Sequence, residues 1–499
     1  MDRYLDMALI SYSESDYYPF HMPGHKRCRM GDWTPESIDI TEIEGFDNLH
    51  HAEGIIKEAQ ERLAALFGSE QSFFLVNGST CGLLSAICGS VKKGGCVLMG
   101  RNCHKAVYHA AYLMELKTAY LYPEKTGFGI QGSIRPEEVK KKLEQYPDVQ
   151  AVVITSPTYD GVVSDIAAIA DLVHEKDIPL IVDEAHGAHL GFSEGFPQKA
   201  IACGADLCIE SLHKTLPCYT QTAVLHIGKT ARTDISRVKR YLGIFQSSSP
   251  SYVLMAGIDR CTRMLQQEGK QLFADFEGRL KDFYKKSETL KYIQVFPYKS
   301  NDAGIWAKDI SKILISGQNA GLNGQQLYDL LLETYHLQME MASGHYVTAL
   351  TSVMDTDDGF ERLSEALREI DGIAAKREIA LEPAVRTEEQ RKDEGGTENT
   401  SVRDLILTPN EIYQPRKKKM EIYQAIEAGK REIPFEEAEG CISGEFIYLY
   451  PPGIPLVAPG EIITKEMLAV IRTCRRRNMQ VQGMADMTGE RIQIADSNR

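Results

Sequence analysis

The stretch ADLCIESLHKTLP, from Ala205 to Pro217, ends an apolar run with a histidine and a lysine. Most lysines lie on the solvated surface of a protein, so the simplest interpretation of Lys214 is an exposed amine. A lysine that burial keeps partly deprotonated is instead a nucleophile that attacks carbonyl groups. The choice between the two depends on the polar residues that the fold brings next to it.

A helical period alternates with short apolar runs between about residue 54 and residue 208. This alternation predicts an α/β unit in which helices cover both faces of a mostly parallel sheet. Ligands of such sheets bind at the carboxyl ends of the strands. Five apolar runs are followed by polar side chains that this edge would gather: Ser79 and Thr80, His104, Thr158 and Tyr159, Asp183 and His186, and Ser211, His213 and Lys214.

These side chains match the parts of one cofactor, pyridoxal phosphate. The amine of Lys214 would form the Schiff base, and Asp183 would keep the pyridine nitrogen protonated. The ring of His104 would stack on the cofactor, and His186 is a further cofactor-binding candidate. Hydroxyl and imidazole groups would hold the phosphate, namely those of Ser79, Thr80, Ser211 and His213. Taken singly, Asp183 and His104 could be helix caps and His186 a core histidine, but the combination favours one site.

The tetrapeptide DEAH, from Asp183 to His186, also resembles a helicase motif. That interpretation requires a phosphate loop of the form G-x-x-x-x-G-K-[ST] earlier in the chain. The nearest candidate, AVLHIGKT, has Ala223 at the first glycine position and follows the DEAH. The turn VNGST is a better phosphate site, because a helix start points N–H groups at an anion, although it could also be a simple helix cap.

The net charge of −14 argues against a nucleic acid or an anionic membrane as the main partner. The eleven cysteines are scattered and form no C-x-x-C pair, so neither disulfides nor a metal site is expected. The chain shows no signal peptide and no apolar run near the roughly 20 residues of a membrane helix, and a cytoplasmic location is expected.

The length of 499 residues suggests two or three domains. The first fifty residues are rich in aromatic and acidic residues without periodicity, and a charged segment late in the chain has little to bury. The expected segments are an N-terminal arm (1–53), a large cofactor-binding domain (54–300), a small α/β domain (301–381), a linker or mobile loop (382–402) and a C-terminal domain (403–499).

Several motifs in order along nearly the whole chain resemble the pyridoxal-phosphate-dependent ornithine/lysine/arginine decarboxylases, which have the aspartate-aminotransferase-like fold called fold type I. They are PFHMPGHK, VNGSTCG, RNCHKAVYHA, VDEAHGAHL, SLHKTLPCYTQTA, SSSPSY and YPPGIPLVAPGE. The resemblance implies decarboxylation of a basic amino acid to a diamine or agmatine, as in polyamine biosynthesis. It also implies the short form of the family, without an amino-terminal response-regulator-like domain.

The resemblance assigns Lys214 as the Schiff-base lysine, Asp183 as the ring-nitrogen partner and His104 as the stacking group. By position, Lys214 or His213 would return a proton to the substrate. In the family, the stretch matched by Ser247 and Ser248 can reach the cofactor phosphate of a neighbouring subunit. A homodimer with shared sites is therefore the smallest expected assembly.

Glu461, at the end of YPPGIPLVAPGE, is a candidate for binding the basic tail of the substrate, or simply a helix-start residue. Three positions near the lysine depart from the family pattern, with Ile209 before it and Pro217 and Cys218 after it. An aminotransferase or aldolase of the same fold stays an alternative, as does a non-catalytic descendant that acts as an interaction protein. The preference among arginine, lysine and ornithine stays open.

Overall fold

The computed structural model describes residues 5–28, 34–297, 302–388, 415–449, 453–476, 479 and 481–496. The elements of the first half are α1 (Leu5–Ser13), β1 (Tyr18–Phe20), α2 (Pro35–Ile38), α3 (Ile55–Phe67), β2 (Gln71–Leu75), α4 (Gly78–Ser90), β3 (Cys96–Gly100), α5 (Lys105–Leu113), β4 (Lys117–Leu121), α6 (Pro136–Gln145), β5 (Val149–Thr155), β6 (Val162–Val163), α7 (Ile166–His174), β7 (Leu180–Asp183), β8 (Leu207–Glu210), α8 (Leu212–Thr215), β9 (Ala223–Ile227) and α9 (Ile235–Phe245).

The second half continues with α10 (Tyr252–Ser287), β10 (Gln294–Val295), β11 (Ala307–Lys308), β12 (Lys312–Ser316), α11 (Gly324–Glu333), β13 (Leu337–Met339), β14 (Met341–Ala342), β15 (Tyr346–Leu350), α12 (Asp357–Glu388), α13 (Ile422–Glu427), β16 (Lys430–Pro434), β17 (Ile447–Leu449), β18 (Ile454–Val457), α14 (Lys465–Arg476), β19 (Val481–Gln482) and β20 (Arg491–Ala495).

A seven-stranded sheet in the order β2-β9-β8-β7-β5-β3-β4 forms the centre of the large domain. Neighbouring strands from β8 to β4 run parallel, and β9 is antiparallel to both β8 and β2. Successive residues of β3 alternate between faces, so Val97 packs toward α4 and α5 while Leu98 packs toward α6 and α7. The predicted mostly parallel sheet with helices on both faces is confirmed.

The segment predicted as an N-terminal arm packs within this chain on the small domain. Its strand β1 pairs in parallel with β13, with Tyr18 opposite Leu337. Nearby, the ammonium group of Lys26 is buried and donates hydrogen bonds to the carbonyl oxygens of Pro19 at 2.9 Å and Leu350 at 2.6 Å. The arm thereby brings the PFHMPGHK motif to the junction of the two domains.

The small domain is built on an antiparallel sheet in the order β10-β12-β15-β14. The boundary predicted at residue 300 lies outside the described residues. The helix α12 continues to Glu388, so the first residues of the segment predicted as a linker (382–402) are helical. The rest of that segment lies outside the described residues.

The C-terminal domain combines a β16–β20 ribbon with a three-stranded sheet in the order β18-β17-β19. Its helix α14 packs Met467 and Ile471 into a core shared with these strands. All eleven cysteines of the chain are free thiols. Within the described residues, every helix is too short or too polar to cross a membrane.

Candidate active site

A cavity of about 470 Å³ lies at the carboxyl ends of β2, β3, β5, β7 and β8. The structure brings together eight of the side chains predicted for the site, which line this cavity: Ser79, Thr80, His104, Asp183, His186, Ser211, His213 and Lys214. The parallel topology accounts for this arrangement, because strands that run in the same direction end at the same edge. Three other candidates, Ser247, Ser248 and Glu461, do not line it.

Lys214 lies on the short helix α8, which follows directly from β8. Burial lowers the pKa of its amine, and the carboxylates of Asp183 and Glu340 partly oppose this effect. Asp183 ends β7, is 2% exposed and accepts the N–H of Ala185 at 3.2 Å. Burial raises the pKa of Asp183, and the charge of Lys214 opposes the rise. The site thus pairs an amine that gives up its proton more readily than an exposed lysine with a buried carboxyl group that holds its proton more readily than an exposed one.

The turn after β2 lines the cavity where the helix α4 begins. Asn77 is the N-cap residue of α4, but its side chain accepts no hydrogen bond from the helix. The first N–H groups of the helix are therefore left to other acceptors. The hydroxyl of Ser79 lies 2.5 Å from that of Ser211, which joins this turn to the start of α8. Two hydroxyls at a helix N-terminus form a suitable cradle for a phosphate group.

His213 faces this end of the cavity. Its Nδ1 lies 2.8 Å from the carbonyl oxygen of Thr222, so Nδ1 must carry the proton that this oxygen accepts. Burial lowers the pKa of His213 to about 4. In that neutral form Nε2 is an acceptor, and it donates to a phosphate only after protonation.

His104 is both a helix cap and a cavity residue. Its Nδ1 accepts the N–H of Ala106 at 3.2 Å at the start of α5. Burial, and secondarily the charge of Lys214, lowers the pKa of His104 to about 3. The ring is therefore neutral, as a side chain that stacks on an aromatic cofactor should be.

His186 lies between two lysines. Its Nε2 is 3.0 Å from Nζ of Lys214, and its Nδ1 is 2.8 Å from Nζ of Lys312. Burial and the two cations hold the pKa of His186 well below its usual range. The alternative of a satisfied core histidine is thus partly right, since both ring nitrogens have partners, but one of these partners is Lys214.

Several residues that line the cavity belong to none of the motifs found in the sequence. Glu340, between β13 and β14, accepts the hydroxyl of Tyr159 at 2.5 Å and the N–H of Met22 at 2.9 Å. Asp160 accepts the hydroxyl of Tyr346 at 2.8 Å, and burial raises its pKa to about 6. The small domain and the N-terminal segment therefore bring side chains to a site that the sheet edge alone does not complete.

The structure does not support the candidate role of Glu461. Its side chain is 1% exposed, and both of its carboxylate oxygens accept hydrogen bonds from Arg101, each at 3.0 Å. The charge of Glu461 is already neutralised in this buried bidentate pair. It holds the C-terminal domain to the strand end of β3 instead of lining the cavity.

Ser247 and Ser248 lie on the surface, at the end of α9. The main-chain N–H of Ser247 donates to Oδ1 of Asn77 at 3.0 Å, which ties this stretch to the turn after β2. Their predicted contact with the cofactor phosphate of a neighbouring subunit stays a prediction.

The three departures from the family pattern do not line the cavity. Pro217 and Cys218 are buried, and the thiol of Cys218 donates to the carbonyl oxygen of Gly257 at 3.5 Å. A side chain at Gly82 would collide with Leu75 and Ile209, so this glycine leaves the room that Ile209 occupies.

The donor set fits pyridoxal phosphate. An amine, a buried carboxylate, a neutral imidazole and an uncapped helix start with two hydroxyls converge on one cavity of suitable volume. These groups are suited, in that order, to the carbonyl carbon, the ring nitrogen, the ring face and the phosphate of the cofactor.

Comparison with known proteins agrees with this geometry. The Orn/Lys/Arg decarboxylase major domain matches residues 4–303, and the C-terminal domain of the same family matches residues 407–496. The arginine decarboxylase of Bacillus anthracis is 31% identical over 501 residues, which cover 98% of this chain and 96% of that protein. The arginine decarboxylase of Bacillus subtilis (strain 168) is 31% identical over 490 residues, or 95% of this chain and 94% of that one. The solved lysine decarboxylase of Francisella novicida has the same fold, with a TM-score of 0.75 at 20% identity over 98% of this chain and 80% of its own.

Proposed function

We propose that arginine is the substrate of this enzyme, since the chain belongs to the Orn/Lys/Arg decarboxylase family and has near-full-length relatives named arginine decarboxylase. The enzyme has fold type I, uses pyridoxal phosphate and removes carbon dioxide from a basic amino acid. Membership of this decarboxylase family argues against the aminotransferase, aldolase and non-catalytic alternatives. The observation that carries the proposed cofactor chemistry is the convergence of Lys214, Asp183 and the turn after β2 on one cavity.

Pyridoxal phosphate, when bound, supplies the electron sink for the electron pair that departing carbon dioxide leaves on the substrate. We assign Asp183 to hold a proton at the ring nitrogen, which keeps that sink effective. We assign Lys214 to bind the cofactor and then to move a proton to the substrate Cα. The neutral ring of His104 would cover one side of the reacting group and exclude water from it.

Two carboxylates of the cavity wall suit a substrate that carries a second cation. Glu340 lies close enough to Lys214 for its charge to oppose the fall in the pKa of that lysine that burial causes, and Asp160 also lines the cavity. Because Tyr159 and the main chain at Met22 fix both oxygens of Glu340, its carboxylate is oriented before a ligand arrives. We propose that Glu340, with Asp160, binds the guanidinium group of arginine.

Release of labelled carbon dioxide from carboxyl-labelled arginine, lysine and ornithine tests the proposal. Purified protein with added pyridoxal phosphate should show the highest kcat/KM for arginine. A higher value for lysine or ornithine would replace the substrate, and no release from any of the three would refute the reaction.

We also propose a homodimer in which Ser247 and Ser248 contribute to the partner's phosphate site. The exposure of both serines supports this arrangement. If the sites are shared, mixing Lys214→Ala chains with chains that carry Ser247→Ala and Ser248→Ala should restore about one quarter of wild-type activity, because half of the dimers hold one intact site. No restoration would indicate that each chain uses its own serines.

Agmatine as the product suits a role in polyamine biosynthesis. The eleven free thiols favour a reducing compartment, and we propose the cytoplasm.

A further inference from the structure

Lys312 is a buried lysine that the reaction so far does not use. It begins β12 in the small domain, is 1% exposed and lies behind His186 rather than on the cavity wall. Within the described residues, the ammonium group of Lys312 makes one hydrogen bond, to Nδ1 of His186. A buried cation of this kind calls for an explanation, because burying a charge is costly.

The stem of Lys312 is held in a fixed position. Gly161, at a positive φ of 87°, packs so closely that a Cβ there would lie 2.9 Å from both Cβ and Cγ of Lys312. The fold therefore aims the amine of Lys312 at the imidazole ring.

With a neutral imidazole and one charged lysine, two arrangements satisfy the hydrogen bonds around His186. A neutral imidazole donates from one nitrogen and accepts at the other. In one arrangement Lys312 is the cation, His186 carries its proton on Nε2, and Lys214 is a neutral amine. In the other, Lys214 is the cation, His186 carries its proton on Nδ1, and Lys312 is neutral. The two arrangements differ by the concerted shift of two protons along three side chains.

We propose that Lys312 is the proton reservoir for Lys214, and that His186 passes the proton between them. This inference rests on the proposed decarboxylation, for which it supplies the proton path. Lys312 gives a proton to Nδ1 of His186 as Nε2–H gives its proton to Lys214. Lys214 then donates to the substrate carbon, where the electron pair left by carbon dioxide forms the new C–H bond. A hydronium ion or buffer acid in the solvent that enters the cavity between turnovers gives Lys214 the one proton consumed, and the reverse shift returns it to Lys312.

The electrostatic surroundings suit such a reservoir. Burial lowers the pKa of Lys312 to about 8, against the opposing effect of nearby carboxylates. The amine can therefore both hold and release a proton near neutral pH. The charged and titratable groups that face Lys312 or His186 include Asp160, Asp309, Glu340, Lys214, His104, His213 and Tyr159.

Lys312→Met removes the reservoir, and Lys308→Met is its matched control. Lys308 is also buried, with a pKa lowered to about 7, but it donates to Tyr284 and to the carbonyl oxygen of Phe296 instead of to His186. In Lys312→Met, kcat should fall by about 10²-fold, as for the loss of a general acid. A larger share of turnovers should also end with the proton on the cofactor, which yields pyridoxamine phosphate and an aldehyde. Lys308→Met should keep the wild-type share.

A second readout needs no turnover. The rate at which cofactor-free protein captures pyridoxal phosphate follows the neutral fraction of Lys214. Removal of the neighbouring cation should raise the pKa of Lys214 and shift this rate profile to higher pH in Lys312→Met. If Lys312→Met fails to fold, the variant His186→Gln, in the turn after β7, interrupts the same proton path.

The relay is wrong if Lys312→Met keeps both the wild-type product share and the wild-type capture profile while only kcat falls. Failure of the proposed function is distinguishable, because it would appear as no carbon dioxide release by the wild-type protein. The capture profile would then still report the coupling between Lys312 and Lys214.

Discussion

Two clusters of buried titratable groups include residues near the ends of β7 and β8, and each contains a buried lysine and a buried histidine. The cavity cluster consists of Lys214, His186 and Lys312. The closed cluster consists of Glu184, Lys199, Cys208, Glu210 and His226. Burial lowers the pKa of Lys199 and of Lys312 to the same value of about 8. The shifted pKa alone therefore does not distinguish the two clusters.

Their surroundings differ. The ammonium group of Lys199 lies 3.6 Å from the ring centroid of Phe67 and 3.8 Å from that of Phe192, and the closed cluster has no residue on the cavity. Burial and Glu210 raise the pKa of Glu184 well above its usual range, whereas His226 and Lys199 outweigh burial and lower that of Glu210. The cluster thus contains one neutral carboxyl group, that of Glu184, and one ionised carboxylate, that of Glu210. Connection to a cavity, directly or through a hydrogen-bonded neighbour, and not burial beside charges, makes a shifted group reactive.

Lys214→Ala should have the largest effect. Loss of the nucleophile should lower kcat/KM by at least about 10³-fold. Lys199→Met in the closed cluster should leave kcat/KM of the folded protein near the wild-type value. Similar losses in both variants would remove the distinction between the clusters.

Asp183→Asn should lower kcat by about 10²- to 10³-fold, because the preorganised charge at the ring nitrogen is lost. Asp206→Asn is the matched control at the other end of the sheet, where the carboxylate accepts the N–H of Leu180 at 2.7 Å. The control should lower Tm and spare kcat. A near-normal rate in Asp183→Asn would mean that another group supports the ring nitrogen.

Glu340→Gln should raise KM for arginine about tenfold, as the loss of a hydrogen-bonded charge pair does, with a smaller change in kcat. Glu333→Gln, on the exposed end of α11, should change neither constant. An unchanged KM in Glu340→Gln would place the guanidinium group elsewhere in the cavity.

The closed cluster should change how the free energy of unfolding depends on pH. The pKa of Lys199 is about 8 in the folded chain and 10.5 for an unperturbed lysine. Between these values the unfolded state holds a proton that the native state has released, so this lysine makes stability rise with pH. The difference in unfolding free energy between wild type and Lys199→Met should rise by about 1.4 kcal/mol per pH unit across this window. Denaturant unfolding at several pH values measures it, and a flat difference would contradict the assignment.

The alternation of apolar runs and helical segments was sufficient to predict the sheet edge and the eight side chains that it gathers. Glu340 and Lys312 were not predictable in this way, because they lie on the small domain and reach the site only when the two domains pack. Glu461 shows the converse. Its motif suggested the cavity, but its pairing with Arg101 depends on how the C-terminal domain docks, which no local pattern records.

The central claim is that, of the buried lysines, Lys214 alone bonds to the cofactor. Borohydride reduction of the enzyme loaded with pyridoxal phosphate fixes this bond as a stable amine, and mass spectrometry of the digested protein locates it. We predict the pyridoxyl group on the peptide that contains Lys214 and on no other lysine peptide. Its presence on Lys312 or Lys199 would contradict the account.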